Sequence, residues 1–203
     1  MRHVAVVALL LSSSAVVGTA SGCGDRGAGP SAATAAWTEV ADADLSAGER
    51  GQKAKADAAR EALFGRLMAR LTEEMAKGGP VGAVAVCREQ AHPIALEVAK
   101  AEGVAIGRTS HRLRNPMNAP PDWARGFVAA ERATPALVRA GDGRLGVLTP
   151  IRLRANCLAC HGDPKAMDPK VVEALAAGYP RDQATGFKEG DLRGWFWVEV
   201  PKP

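Results

Sequence analysis

The sequence predicts an α+β domain built on an antiparallel sheet, with a long helix ahead of it. Three observations carry this. Leu63, Leu67, Leu71 and Met75, flanked by Phe64 and Met68, recur every three to four residues, the period of a helix with one buried stripe. Gly141-Asp142-Gly143 separates two apolar runs, Ala136 to Arg139 and Leu145 to Leu153, as a β-hairpin would. Trp195 to Val200 alternates with the period of a strand. The order is helices first and strands later, without the regular βαβ repetition of a parallel sheet.

Each element has its own local signal. Ser46-Ala47-Gly48-Glu49 has the form of a capping box, in which the serine caps and the glutamate reaches back. Gly78-Gly79-Pro80 stops the helix that follows. A second helix starts near Gly82 and carries Val84, Cys87 and Ala91 on one face, so Cys87 is expected to point inward. Pro93 cannot continue that helix without losing a hydrogen bond, but it fits the first turn of a fresh one ending near Ala101 and Gly103. Val104 to Arg112 reads as a strand of nine residues, Asn115 to Pro121 as loop, and Pro121 to Ala133 as a short helix around Trp123 and Phe127. Asp168 caps a helix running to Ala177, with Pro169 at its first position. A Gly-rich polar loop then runs from Tyr179-Pro180 to Gly190.

The 203 residues suit one ordinary domain once the N-terminus is set aside. A hydrophobic fraction of 47% suffices for a core, which Ala, Val and Leu must mostly fill because aromatics make up only 4%. Lys and Arg number 26 against 22 Asp and Glu, with no polybasic run, so nucleic-acid binding is not expected. Arg2 followed by the apolar stretch Val4 to Val17 is too short to span a membrane and reads as an export signal. Cleavage after Ala20 fits its small residues. The alternative is a lipobox, Ala20-Ser21-Gly22-Cys23, with lipid on Cys23 and a membrane-anchored periplasmic product. The flexible stretch Gly24 to Ala36 after Cys23 favours the second. The expected organisation is a signal over 1–22, a tether over 23–45 and one domain over 46–203.

Cys157-Leu158-Ala159-Cys160-His161 is a C-x-x-C-H segment, the attachment sequence for c-type haem. Two thiols three residues apart on a helical turn face one side and can add to the two vinyl groups of one porphyrin. The adjacent histidine then reaches the iron. A zinc site would want four convergent ligands, and adjacent Cys160 and His161 could hardly share one ion. A thioredoxin-like C-x-x-C would need a βαβ setting that is missing. One covalent haem c with His161 as axial ligand is therefore expected. On the other side of the iron, Cys87, His92, His111, Met117 and Met167 all remain candidates. Cys87 stands out because Cys157 and Cys160 would carry haem and Cys23 lipid, leaving it without a covalent task. A thiolate ligand would lower the reduction potential and a thioether raise it. Arg108, Arg112 and Arg114 alternate along the expected strand and suit the haem propionates, or else form a solvated charged face.

The stretches AVAVCREQAHPIA, IGRTSHRLRNPMNAP, CLACHG and YPRDQATGFKEGDLRG resemble a family of exported monohaem c-type domains, covering about Leu63 to Val200. The resemblance implies a PAS-like fold, an antiparallel sheet flanked by helices. It also implies a His/Cys axial pair, which falls on His161 and Cys87, and supporting roles for Tyr179 and Gln183. Electron transfer and redox sensing outside the cytoplasm are the roles it implies, with a redox partner that the sequence does not name. A haem-based gas sensor, in which nitric oxide or carbon monoxide displaces Cys87, and a small peroxidase-like enzyme are the alternatives. Enzymatic activity is not expected, because Cys87 would close the iron and no distal acid-base pair is recognisable.

Overall fold

A computed structural model of the chain describes residues 36–203. The expected export signal, Cys23 and most of the expected tether lie outside the described residues. The fold begins at Trp37 rather than Ser46. Strand β1 (Trp37–Glu39) pairs antiparallel with β3 (Ala136–Ala140), and Leu45 is buried. This strand sits in an Ala-rich stretch with no pattern of its own, and only its pairing with β3 makes it one.

Helix α1 (Ala47–Glu89) opens with the expected capping box. Ser46 N donates to Glu49 Oε2 at 2.8 Å, and Glu49 N donates to Ser46 Oγ at 3.3 Å. The predicted stop appears as a break inside α1. Gly79 takes φ 61° and ψ −160°, open to glycine and costly for other residues, and Pro80 opens the next run of helix. The stripe is buried only in its first half. Leu63 and Leu67 face the core, whereas Phe64 and Met75 are exposed. Helix α2 (Ala91–Glu102) starts anew one residue after α1 and ends on Gly103 in the left-handed region.

The sheet has the order β1-β3-β4-β5-β2 and is antiparallel throughout. Its other strands are β2 (Ala105–Thr109), β4 (Leu145–Arg152) and β5 (Leu192–Val200). Alternation divides the side chains between two layers. Leu137, Leu145, Val147, Phe196, Val198 and Val200 pack with α1 and α2. Val138, Leu148 and Trp195 pack on the opposite face with Trp123 and Val128, beside α3 (Arg125–Ala129). Burying a leucine such as Leu63 contributes about 1.5–3 kcal/mol. Gln52 ties α1 to the strand ends: its amide donates to the carbonyls of Gly143 and Pro201 at 3.0 Å each and of Val200 at 3.3 Å.

The strand expected over Val104 to Arg112 ends at Thr109. Ser110 ends it: its hydroxyl donates to the Arg193 carbonyl at 2.7 Å and accepts from Arg112 N at 2.9 Å, turning the chain out of the sheet. Arg112 and Arg114 therefore lie in a turn, not on a strand face with Arg108. On the other edge of β5, at the same end of the sheet, the β4–β5 register shifts between Ile151 and Arg152, and β4 leads off into the Cys157–His161 turn.

Candidate functional site

The C-x-x-C-H segment folds as a 3-10 turn (Ala155–Cys157) running into the short helix α4 (Leu158–His161). Gly162 closes it, donating to Leu158 O at 2.9 Å; a Cβ there would stand 2.7 Å from that same oxygen. The loop of residues 182–190 zips onto this turn. Gly186 N donates to Gly162 O at 2.6 Å and Phe187 N donates to His161 O at 3.0 Å. Cys157 packs with Leu153, Ala184 and Phe187. Cys160 packs with Val84, Met167 and Tyr179, beside α5 (Pro169–Gly178). Both thiols are free, as is that of Cys87.

His161 is held in one orientation. Its Nδ1 lies 2.7 Å from the Ala184 carbonyl oxygen, which can only accept, so Nδ1 carries the proton. That leaves the Nε2 lone pair open. Burial, then the charges of Arg114 and Arg193, push the ring pKa down to about 3, so the ring is neutral. Neutral imidazole, proton fixed on one nitrogen and the other bare, is the state in which histidine binds a metal.

Arg114 builds the support. Its guanidinium, 8% exposed, pairs with Asp182 (Nε to Oδ2, 3.0 Å) and donates to the carbonyls of Cys160 (2.6 Å) and Ala184 (3.1 Å). Asp182 Oδ1 in turn accepts from Ala184 N at 2.7 Å. Arg112 donates to the carbonyls of Gln183 and Thr185 and stacks on Phe187, 4.2 Å from the ring centre. Arg112 and Arg114 thus clamp the loop whose carbonyl holds His161. Arg108 is different: it lies in β2 opposite Phe196 and has no hydrogen-bond or ion-pair partner among the described residues. Burial lowers its pKa, while the nearby Cys87 and Tyr179 oppose the shift.

Of the five candidates for a second ligand, Met117 is 75% exposed and His92 is on the surface, while Met167 packs in the cluster with Val84 and Val171. His111 packs edge-on against Phe187 and Trp195. Cys87 follows Val84 along the second part of α1, half-buried, and lies within electrostatic reach of Arg108, Cys160 and Tyr179. Burial raises the pKa of Cys160, and that of Tyr179 to about 12. The structure therefore brings Cys87, Cys160 and Arg108 into one neighbourhood, with His161 beside the arginines. Sequence reasoning missed Asp182, the Ala184 carbonyl and Arg193, which all fall within the fourth quoted stretch but carry no spacing that marks them.

The donor set fits a c-type haem. Two unpaired thiols on one turn match its two vinyl carbons, and the bare Nε2 of His161 matches one iron position. Among the described residues no three His, Cys, Asp or Glu side chains converge as a cage for a bare metal ion.

No curated protein sequence matches the chain. The crystal structure of the cyanobacterial heme-protein Tll0287 is similar to it, at 25% identity and a TM-score of 0.51, covering 78% of this chain and 98% of that one. The model of the Tll0287-like family matches residues 35–201, nearly the whole described fold, and the chain belongs to that family.

Proposed function

We propose that this chain is a covalent c-type monohaem protein acting in electron transfer or redox sensing outside the cytoplasm. The observation that carries the reading is the turn at Cys157–His161, with two free thiols and a ring whose Nδ1–H is spent on Ala184 O. The likeness to a heme-protein supports it. When bound, the haem supplies a one-electron iron couple. The chain does the rest. Cys157 and Cys160 would hold the group covalently and His161 Nε2 would ligate it, while Arg114 with Asp182 keeps the Ala184 carbonyl in place behind the ring.

Charge supports the same reading. Arg108, Arg114 and Arg193 lie within electrostatic reach of His161 and Arg112 within reach of Arg193, and Asp182 pairs with only one of these four, Arg114. Two propionates and a thiolate would offset that excess, and Arg108 is the guanidinium left open to receive one. Cys87 is the proposed second protein ligand, and with that position filled electron transfer would be favoured over catalysis. The chain is further proposed to be anchored in the periplasm through lipid on Cys23.

Expression with the c-type maturation machinery tests the core of the proposal. The colour should survive acid-acetone extraction, and intact mass should show haem on the Cys157–Cys160 peptide; colour lost on extraction would refute covalent attachment. The mass of membrane-extracted protein should also show lipid on Cys23, and a chain starting at Ser21 would refute the anchor.

A further inference from the structure

Arg193 opens the working part of β5 at a place where the sheet is irregular. The β4–β5 register shifts there, and Gly194, at φ 156°, passes so close to the Thr109 carbonyl that no side chain would fit. This turns Arg193 toward the C-x-x-C-H segment. Its Nε comes within 3.3 Å of His161 Nδ1, and its Nη1 donates to Ser110 Oγ at 2.8 Å and to the Arg112 carbonyl at 3.2 Å. Among the described residues no carboxylate pairs with it. Every partner is neutral, and burial together with the neighbouring Arg114 and Arg108 lowers its pKa to about 10. The guanidinium is partly buried with no ion-pair partner, and withdrawing a charge from water in this way carries a desolvation cost that the nearby Asp182 only partly offsets. Because Nδ1 already gives its proton to Ala184 O, Arg193 finds no lone pair there. What it presents to the ring is charge.

We infer that Arg193 is a positioning residue that sets the reduction potential of the iron bound at His161, holding a fixed positive charge against the far side of the ligand ring. The inference rests on the haem reading above. The couple is one electron onto ferric iron, with no bond made or broken and no proton moved. A cation beside the ligand favours the state with the extra electron, and its partly buried setting weakens screening by water and salt.

The experiment is a spectroelectrochemical titration of the holoprotein with dithionite and ferricyanide, for wild type, Arg193→Lys, Arg193→Gln and Arg152→Gln. Arg152 is exposed near the same sheet end and controls for net charge. Arg193→Gln should shift the equilibrium toward ferric by about tenfold, which is 59 mV for one electron. Arg193→Lys and Arg152→Gln should stay near wild type. An unchanged potential in Arg193→Gln, or equal shifts in Arg193→Lys and Arg193→Gln, would overturn the inference. If Arg193→Gln does not mature, Arg193→Met removes the same charge: a potential lowered toward the ferric state supports the role and an unchanged one ends it. A wild-type protein without haem ends the functional proposal and this inference together, whereas haem present with a potential indifferent to Arg193 ends only this one.

Discussion

Replacing Arg114 with Met removes a guanidinium that is 8% exposed and leaves Asp182, 10% exposed, without its cation. Removing one member of a buried pair costs about 3–5 kcal/mol, because the remaining charge stays out of water uncompensated. Here the loss includes donors to two carbonyls, at 2.6 and 3.1 Å, so the upper part of that range applies. For a domain of this size, 3–5 kcal/mol is a fall in Tm of about 6–20 °C. Urea denaturation of wild type, Arg114→Met, Asp182→Asn and the double variant, at equal haem content, measures it. The double variant should be more stable than the sum of the singles predicts, by about 1 kcal/mol or more. Arg114→Met within about 0.5 kcal/mol of wild type, with no coupling to Asp182, would refute the clamp and return Arg114 to a solvated face.

The remaining predictions concern the second ligand, a pH response and a packing limit. Cys87→Ser should convert low-spin ferric haem to high-spin or to a different ligand and raise the potential, read by optical and paramagnetic resonance spectra; a wild-type spectrum would exclude Cys87 as ligand. Arg139, then Ser46, hold the Glu49 pKa down to about 2 from its ordinary 4.5. Because the folded pKa is depressed, the stability from this charge is present above about pH 4.5 and lost as pH falls toward 2. Allowing for screening by water, Glu49→Gln should cost about 1 kcal/mol at pH 7, with the gap closing over that window in urea titrations; a gap independent of pH would contradict it. Gly107→Val should destabilise by more than about 2 kcal/mol, since any Cβ there would stand 2.6 Å from the Trp197 ring. Wild-type stability would show that the ring moves aside.

What the sequence determined by itself was local. The capping box at Ser46, the break at Gly79-Pro80, the hairpin at Gly141–Gly143 and the helical turn carrying Cys157, Cys160 and His161 all depend on residues a few positions apart, and each formed as its own chemistry requires. Tertiary structure decided what depends on distant partners. Trp37–Glu39 is a strand only because β3 lies beside it, and the strand from Ala105 stops at Thr109 because Ser110 meets Arg193 from 83 residues away. The three arginines that alternation placed on one face separate for the same reason: Arg112 and Arg114 close a clamp on the loop of residues 182–190, and Arg108 stays open. Arg193 lies in the fourth quoted stretch, but no spacing there singles it out, because its contacts with Ser110, Arg112 and His161 are made across the fold. A charge becomes functional through what it is buried against, and that is set by the packing of β5 against the turn that carries His161.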